Sequence, residues 1–257
     1  MTTTVLVTGG TGRLGRSLVP RLVAAGHEVR VLTRRHREPA AWEWVVGDLD
    51  TGRGIGAAVA GAQVIIHSAT TNGRGDVAAT RTLIDAAAAA GKPHLVYMSI
   101  VGIEKVALSY YRAKADCERL IEGSGLPWTI QRATQFHDLI TAVCDAQRRL
   151  PVTMMPSKVS FQPIDVTDVA DQLADIAAGP PAGRMPDLGG PQVRAAAELA
   201  RSYLGAIGRR RAVVSIPLPG KAMRDYRAGN HLARDRAVGQ ITFDEFVARI
   251  AAEREGR

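Results

Sequence analysis

A glycine-rich turn, Thr8-Gly-Gly-Thr-Gly-Arg-Leu-Gly15, stands between the first strand pattern and the first helix pattern of the chain. The β-branched and apolar residues 3–8 predict a buried strand, and leucines at helical spacing over residues 14–25 predict the helix. The missing side chain at Gly12 lets a pyrophosphate approach the backbone at the helix N-terminus. We therefore expect a dinucleotide phosphate to contact six residues of the turn: Gly9, Thr11, Gly12, Arg13, Leu14 and Gly15.

Strand and helix patterns then alternate along the first half of the chain. Further strands are predicted at residues 28–33, 42–46, 64–67, 94–99 and 128–132, and further helices at residues 76–90 and 109–122. This alternation predicts parallel strands joined by right-handed crossovers, with helices on both faces of the sheet. Later in the chain we predict a helix at residues 166–178, a strand at residues 212–216 and helices near Lys221 and Phe243.

These patterns predict an α/β fold of the Rossmann type, a doubly wound parallel sheet, with one NAD(P)-binding domain over residues 1–257. Prolines interrupt the pattern beyond residue 150, and we expect residues 136–162 and 179–257 to contribute a small C-terminal substrate-binding lobe. Six side chains are expected to give this lobe an apolar pocket, suited to a small apolar carbonyl or quinone. They are Met154, Met155, Phe161, Pro217, Leu218 and Met223.

The end of the second strand predicts which dinucleotide is preferred. An acidic side chain there would bind the ribose 2′-hydroxyl of NAD, whereas this chain has Thr33, Arg34 and Arg35. Guanidinium groups form charge-assisted hydrogen bonds with a 2′-phosphate, and Arg13 in the turn could reach the same phosphate. We therefore expect NADP(H) in preference to NAD(H). The alternative is that these arginines are solvated surface charge in an arginine-rich chain.

The net charge of +8 and the pI near 10.0 make a nucleic-acid partner worth considering. Residues 201–257 hold 12 Lys and Arg against 6 Asp and Glu, so the excess lies mainly in the C-terminal segment, and we expect a small-molecule substrate and no nucleic acid. The two cysteines, Cys117 and Cys144, indicate neither a disulfide framework nor a metal site. No apolar run could span a membrane, and no leader precedes the first strand, so we expect a cytoplasmic protein. We expect it to be a monomer or a homodimer.

Several motifs together resemble the extended or atypical branch of the short-chain dehydrogenase/reductase superfamily, close to its NmrA-like NAD(P)-binding proteins. They are the glycine-rich turn, Gly47-Asp-Leu49, His67-Ser-Ala69, Tyr-x-x-x-Lys at residues 110–114, residues 125–136, and the tail segments 235–239 and 243–246. The likeness covers nearly the whole chain and implies cofactor contacts for residues that follow the third, fourth and sixth strands. These residues are Asp48, Leu49, Ser68, Ala69, Thr70, Ala133 and Thr134.

The same resemblance implies a catalytic Tyr110, with Lys114 binding the nicotinamide ribose and lowering the pKa of the tyrosine. Residues at i and i+4 share one helix face, and Lys114 falls in an otherwise apolar stripe, where a buried ammonium needs a partner. Tyr110 could equally be a half-buried packing aromatic. Ser99 is the available hydroxyl after the fifth strand, although the extended-type pattern places the catalytic hydroxyl where this chain has Val101.

Two functions of different classes follow from these residues. The first is an NADP(H)-dependent oxidoreductase with Tyr110 as the acid, and the second is an NADP(H)-sensing regulator without turnover, as the NmrA-like resemblance allows. Epimerase or dehydratase chemistry on sugar nucleotides is disfavoured, since the chain is short for the substrate lobe that it requires. We expect His67 to be structural or near the cofactor, and His137 to be a secondary candidate for substrate contact.

Overall fold

The computed structural model describes residues 2–71 and 73–255. The strands are β1 Thr4–Thr8, β2 Glu28–Thr33, β3 Glu43–Val46, β4 Val64–His67, β5 His94–Ile100, β6 Trp128–Ala133, β7 Val152–Pro156, β8 Ser160–Phe161, β9 Gly183–Arg184, β10 Arg194–Ala195 and β11 Ala212–Ile216. The α-helices are α1 Arg13–Ala24, α2 Ile55–Val59, α3 Gly75–Ala89, α4 Ser109–Glu122, α5 His137–Ala146, α6 Val166–Ala178, α7 Ala196–Ala206, α8 Lys221–Arg227 and α9 Phe243–Glu255. A short 3₁₀ helix covers Arg234–Arg236.

Seven strands form one parallel sheet in the order β3-β2-β1-β4-β5-β6-β9. The first six positions follow the strand order of a Rossmann fold, so the predicted fold class is confirmed. The order reverses between β1 and β4, whose carboxyl ends are adjacent because Thr8 pairs with His67. Ligands of open α/β sheets bind at such a reversal, outside the carboxyl ends of the strands. The strand order therefore predicts a ligand site beside the segments that follow Thr8 and His67.

The chain divides into two compact units, and the first contains this sheet. It comprises residues 1–100, 108–132 and 169–186. Its apolar core packs the strands against the helices on the sheet, with Leu6, Ile65 and Leu95 fully buried. Strands buried on both faces need continuous apolar runs, and β4 is buried at all four of its residues.

The second unit comprises residues 101–107, 133–168 and 187–257. It holds two small sheets, β7 with β11 in parallel and β8 with β10 in antiparallel. Its core packs α5, α7 and α9 around buried aromatic and aliphatic side chains, among them Tyr203, Phe243 and Phe246. Helices α2, α5 and α7 and strands β7 to β10 were not predicted, whereas β11 and most of the predicted elements begin and end within a residue of the expected positions.

The prediction that six apolar side chains line one common pocket is wrong. Met154 and Met155 are neighbours on β7 and therefore face opposite sides of the strand. Met155 is buried in the core of the second unit, whereas Met154 is 37% exposed. Phe161 is buried as well, and Leu218 is 37% exposed. Side chains divided in this way between core and surface do not line one common pocket.

None of the helices at residues 2–71 and 73–255 is both long and apolar enough to cross a membrane. Within the same part of the chain, no group of His, Cys, Asp and Glu side chains could hold a metal ion. Cys117 and Cys144 are both buried free thiols.

Candidate active site

The glycine-rich turn between β1 and α1 leaves backbone available to an anion. Gly9 adopts φ +74°, a conformation that suits glycine, and the N–H of Gly12 donates to its carbonyl at 2.9 Å. A Cβ built on Gly15 would lie 2.3 Å from the Cα of Gly10, so the close approach of the helix to the turn requires glycine at this position. A Cβ on Gly12 would meet only the Gly9 oxygen, at 3.1 Å. The space beside Gly12 is therefore open, as a pyrophosphate site needs.

The beginning of α1 favours a negatively charged ligand. Gly12 precedes the helix, no side chain caps it, and the first turn carries no acidic residue. Thr11 is partly exposed and Arg13 is exposed, while Leu14 is buried. A helix N-terminus without an internal cap or carboxylate attracts anions through its N–H groups and dipole. The residues of the turn thus fit the phosphates of a dinucleotide.

The segment after β4 packs directly on this turn. A Cβ on Gly9 would lie 2.6 Å from the nitrogen of Ala69 and 2.7 Å from the carbonyl carbon of Ser68. The Ser68 hydroxyl donates to the Thr8 carbonyl at 2.8 Å. Because glycine at residue 9 permits this approach, the structure brings Ser68, Ala69 and the adjacent Thr70 together with the turn.

His67 is the last residue of β4 and is structural. Its Nδ1 lies 2.7 Å from the Thr8 hydroxyl, and its Nε2 lies 3.1 Å from the Thr80 hydroxyl. The Thr80 hydroxyl has the Asp76 carbonyl as an acceptor at 2.7 Å, which assigns the ring proton to Nε2. Burial and the ammonium of Lys114 lower the pKa of His67 to about 3. The imidazole is therefore neutral at physiological pH.

A basic cluster follows β2. Arg34 and Arg35 are exposed, and neither forms an ion pair with a described residue. The Thr33 hydroxyl donates to the Arg35 carbonyl at 3.1 Å. The Nε of Arg37 lies 3.4 Å from the Thr33 hydroxyl oxygen. The guanidinium of Arg37 lies 5.4 Å from the centre of the Trp44 ring. Arg37 was not predicted, because its side chain is brought to Thr33 only by the bend after the strand.

The residues after β3 form a turn. Asp48 is partly buried and accepts the N–H of Asp50 at 3.0 Å, while its own N–H donates to the Arg53 carbonyl at 2.8 Å. Leu49 is 9% exposed and belongs to the core of the first unit. These contacts hold Asp48 in a fixed backbone conformation at the carboxyl edge of the sheet.

Lys114 is a buried lysine on α4, as its place in an apolar stripe predicts. It is 3% exposed, and its ammonium donates to the Met98 carbonyl at 3.1 Å. The nitrogen lies 4.7 Å from the centre of the Tyr97 ring and 5.9 Å from that of Tyr110. Burial lowers the pKa of Lys114, and the nearby carboxylate of Asp76 opposes this effect. One carbonyl leaves ammonium protons available for ligand hydroxyls.

Tyr110 is half-buried and forms a chain of hydroxyl contacts that ends on a carboxylate. Its hydroxyl is hydrogen-bonded to Thr70, whose own proton goes to Oδ2 of Asp76 at 2.6 Å. A threonine hydroxyl has one proton, so Tyr110 is the donor to Thr70. Asp76 also accepts the N–H of Thr71 at 2.6 Å and its hydroxyl at 2.8 Å. Asp76 is 3% exposed, and no sequence motif pointed to it.

The pKa of Tyr110 differs from the expectation. Burial and the charge of Asp76 raise the pKa of Tyr110 to about 12. The expected lowering by Lys114 is not found, because burial and the Asp76 carboxylate both disfavour a phenolate. Tyr110 therefore carries its proton at neutral pH. A protonated tyrosine is suited to donate a proton rather than to accept one.

Ser99 does not join this group. It is fully buried, and its hydroxyl has no hydrogen-bond partner among the described residues. The hydroxyl of Tyr97 is likewise buried, and burial raises the pKa of Tyr97 above its usual value. Ser99 thus faces the interior of the first unit. Of the three predicted catalytic residues, the structure brings together Tyr110 and Lys114 only.

A buried ion pair lies along the same helix. Glu118 follows Lys114 by one turn, and its Oε1 accepts the Nε of Arg132 at 2.8 Å. A second contact joins the Arg132 Nη2 to Oε2, and both side chains are less than 5% exposed. The Glu118 charge favours the protonated form of Lys114. Two charges held in this way connect α4 to β6, a link that the resemblance did not indicate.

Three further predicted residues belong to the second unit. Ala133 is buried, and Thr134 is buried with its hydroxyl accepting the N–H of Gly190 at 3.2 Å. His137 is 1% exposed, and its Nε2 donates to the Ile241 carbonyl at 3.0 Å. Its ring packs 5.0 Å from that of Phe246. His137 is thus a core residue, and its candidacy for substrate contact is corrected, because its available ring N–H already holds a backbone carbonyl.

The sheet order, the glycine-rich turn and the pair of half-buried Tyr110 and buried Lys114 are the features of a dinucleotide-binding fold of the Rossmann type. The sequence pattern of the NAD(P)H-binding family matches residues 9–180. The chain belongs to that family, which covers about two thirds of its length. Its cofactor is accordingly a nicotinamide dinucleotide.

Comparison with known proteins gives relatives of several kinds. The chain is 34% identical over 145 residues to the photosystem II assembly factor Ycf39 of Cyanophora paradoxa, covering 51% of this chain and 45% of that protein. It is 36% identical over 138 residues to the ceramide reductase of Caulobacter vibrioides, covering 48% of this chain and 44% of that protein. The chain thus spans less than half the length of these two relatives.

A solved structure shares the fold over almost the whole chain. It is the NADPH-dependent quinone oxidoreductase of Escherichia coli complexed with NADPH. The TM-score is 0.79 at 18% sequence identity, and the match covers 96% of this chain and 99% of that protein. At this level of identity the likeness establishes the fold.

Proposed function

We propose that the chain is an NADP(H)-dependent oxidoreductase that transfers a hydride to a small carbonyl or quinone-like substrate. One observation carries the proposal: the phosphate-binding turn and the candidate acid are connected through three consecutive residues. Ser68 and Ala69 pack on Gly9, and the next residue, Thr70, holds the hydroxyl of Tyr110. A dinucleotide bound at the turn thus extends toward a protonated tyrosine along one edge of the sheet.

The chain's own residues would divide the work as follows. The cofactor, when bound, would supply the hydride, which is one proton with two electrons. Tyr110 donates its proton to the carbonyl oxygen, so that the C=O bond becomes a CH–OH group and the charge is balanced. Lys114 offers ammonium protons to the ribose hydroxyls and holds the nicotinamide end in register. Thr70 would position the Tyr110 hydroxyl, and burial and the charge of Asp76 would keep it protonated.

The basic cluster after β2 supports NADP(H) over NAD(H). Arg34 and Arg35 stand where an NAD-binding chain would have a carboxylate, and they are exposed without ion-pair partners among the described residues. The Thr33 hydroxyl organises the backbone between them and Arg37. Guanidinium groups suit a 2′-phosphate better than a ribose hydroxyl.

The carbonyl or quinone class rests on the protonated Tyr110 and on relatives. A general acid is needed where a hydride adds to C=O, because the developing alkoxide must be neutralised. The names of two relatives, a ceramide reductase and a quinone oxidoreductase, agree with this chemistry.

The direct test is NADPH oxidation against a panel of quinones, aldehydes and ketones. Tyr110→Phe should reduce kcat by about 100-fold or more while leaving NADPH affinity within about threefold, because it removes the proton donor alone. Tyr111→Phe is the matched control, since Tyr111 is the adjacent, buried tyrosine of the same helix. Equal activity in Tyr110→Phe and the wild type would remove Tyr110 from the mechanism.

A regulator that binds NADP(H) without turnover is the second candidate. Two observations favour it. Val101 occupies the place of the expected catalytic hydroxyl, and the Ser99 side chain is fully buried. The same panel separates the two functions. Tight NADPH binding with no oxidation of NADPH by any substrate would support the regulator.

A further inference from the structure

The second unit contains a cavity of about 310 Å³ that the proposed function does not use. Its lining is strongly basic. Four arginines contribute to it, together with one carboxylate and one thiol: Arg148, Arg209, Arg211, Arg254, Asp145 and Cys144. A concave surface with several guanidinium groups has the character of an anion site. The excess of positive charge in residues 201–257, which the dinucleotide site leaves unexplained, is partly concentrated there.

Arg211 is fixed at the cavity and still has an unsatisfied donor. Its Nη2 donates to the carbonyls of Gln147 at 2.5 Å, Leu150 at 2.7 Å and Val152 at 3.0 Å. Its Nε is buried and has no hydrogen-bond acceptor among the described residues. A buried N–H without an acceptor is costly, and native structures usually supply a protein group, a water or a ligand for it. An anionic oxygen in the cavity would satisfy this donor.

The single carboxylate of the lining already has a hydroxyl donor and an arginine beside it. Asp145 accepts the Tyr203 hydroxyl at 2.8 Å, and the Arg254 Nη2 lies 3.9 Å from its Oδ2. Arg254 also donates to the Tyr203 hydroxyl at 3.0 Å. Burial raises the pKa of the Cys144 thiol to about 11, so the thiol adds no negative charge at neutral pH. Neither acidic group of the lining therefore repels an anion strongly.

Arg148 and Arg209 complete the basic lining. Both are exposed, and neither makes an ion pair with a described residue. Long basic side chains without partners are common on surfaces, but here two of them converge on a cavity that already holds a fixed guanidinium. Helix α5 ends beside this lining, and a helix C-terminus disfavours anions. Arg211 offsets that effect by binding the carbonyls that follow the helix.

From these contacts we propose that the cavity binds a small soluble ligand carrying a phosphate or diphosphate group. Arg148 and Arg209 would contact its oxygens from the mouth, and the Nε of Arg211 would contact them from within. The cavity volume lies at the lower end of the range for small-molecule sites, about 300–1,000 Å³, so the ligand is of metabolite size. The site lies entirely within the second unit and is separate in sequence from the glycine-rich turn.

The test is calorimetric titration of the full chain with inorganic pyrophosphate in saturating NADP⁺, which prevents binding at the turn. The wild type should bind pyrophosphate with a Kd below about 1 mM. The double substitution Arg148→Gln and Arg209→Gln should weaken binding about tenfold or more, because it removes two charge-assisted contacts. The matched control is Arg149→Gln with Arg210→Gln, which changes the adjacent residues and the same charge but leaves the lining intact.

Either of two titration results would overturn the proposal. One is no heat of binding by the wild type up to about 10 mM pyrophosphate, a range that covers weak metabolite sites. The other is an equal loss in both double variants, which would indicate diffuse surface charge rather than a site. Phosphatidylglycerol vesicles provide a second arm: retention that depends on Arg148 and Arg209 without pyrophosphate binding would assign the surface to lipid headgroups and refute a small ligand. Circular dichroism melting of both pairs confirms that each variant is folded.

Discussion

The ammonium of Lys114 lies 4.7 Å from the centre of the Tyr97 ring, inside a core where the lysine is only 3% exposed. An ammonium gains from the face of an aromatic ring, but this gain is smaller than the cost of removing a charge from water. The lysine is therefore retained at the expense of fold stability. A ligand that accepts its remaining protons would explain why it is there.

Lys114→Met tests this trade between stability and binding. Burial lowers the pKa of Lys114 in the folded chain, so the unfolded chain binds the proton more tightly, and stability rises as pH approaches the unfolded lysine value. In urea unfolding, the free energy of unfolding of Lys114→Met should not rise between pH 7.5 and 9.5. At pH 7.5 the variant should be no less stable than the wild type. NADPH affinity should fall about tenfold or more if ribose contacts are lost. Lys105→Met, at an exposed lysine, should change neither quantity.

Two glycines of the phosphate-binding turn should separate folding from binding. In Gly15→Ala the new Cβ would lie 2.3 Å from the Cα of Gly10, which is backbone and cannot move cheaply, so a loss of about 1–3 kcal/mol is expected. In Gly12→Ala it would meet only an oxygen at 3.1 Å, so the unfolding free energy should change by less than about 1 kcal/mol. NADPH affinity should nevertheless fall about tenfold or more, because the methyl occupies the pyrophosphate space. Unchanged affinity in a folded Gly12→Ala would contradict the assigned role of this turn.

Arg34 should determine the preference for the 2′-phosphate. A charge-assisted hydrogen bond contributes about 1.5–3 kcal/mol, so Arg34→Gln should weaken NADP⁺ binding about 10- to 150-fold. NAD⁺ binding should change by less than about threefold, since it has no 2′-phosphate. Parallel titrations with both nucleotides measure the ratio, and Arg81→Gln, at an exposed arginine of α3, is the charge-matched control. Equal losses for the two nucleotides would assign Arg34 to general electrostatics.

Asp76 should set the alkaline limit of the reduction. Its charge raises the pKa of Tyr110, and burial, Thr70 and Cys117 also affect that pKa. The positive charge near the Tyr110 ring is the ammonium of Lys114. Asp76→Asn removes the charge, so the pKa of Tyr110 should fall from about 12 and the high-pH decline of kcat/KM should move to lower pH. Asp85→Asn, an exposed residue of the same helix, should leave the profile in place. A profile that moves in both variants, or in neither, would exclude this role.

The buried pair of Glu118 and Arg132 should show strong coupling. Arg132→Met leaves the Glu118 carboxylate buried without its partner, and breaking such a pair costs about 3–5 kcal/mol. Adding Glu118→Leu should recover most of the loss, because both charges are then absent. Urea unfolding of the two single variants and the double variant measures the coupling. Additive losses would mean that the two side chains act independently.

Much of the first unit could be predicted from the sequence. The strands of a two-faced sheet are continuous apolar runs, and the glycines mark the turn, so both signals are local. Helix α5 was missed because its buried face includes His137 and Thr141, which interrupt the apolar period. The candidate pocket failed for a related reason. The strand β7 had not been recognised, and only a strand requires Met154 and Met155 to face opposite sides.

By itself the sequence determined the fold class, the phosphate-binding turn and the lysine in an apolar stripe, since each depends on spacing within a few residues. Only the tertiary structure decided what these residues contact. The hydroxyl of Tyr110 meets Thr70 and Asp76, the Nε2 of His137 holds the carbonyl of Ile241, and four arginines converge on one cavity. Such contacts join residues distant in the chain. Their energies depend on burial and on charges brought close by folding, which local spacing does not encode.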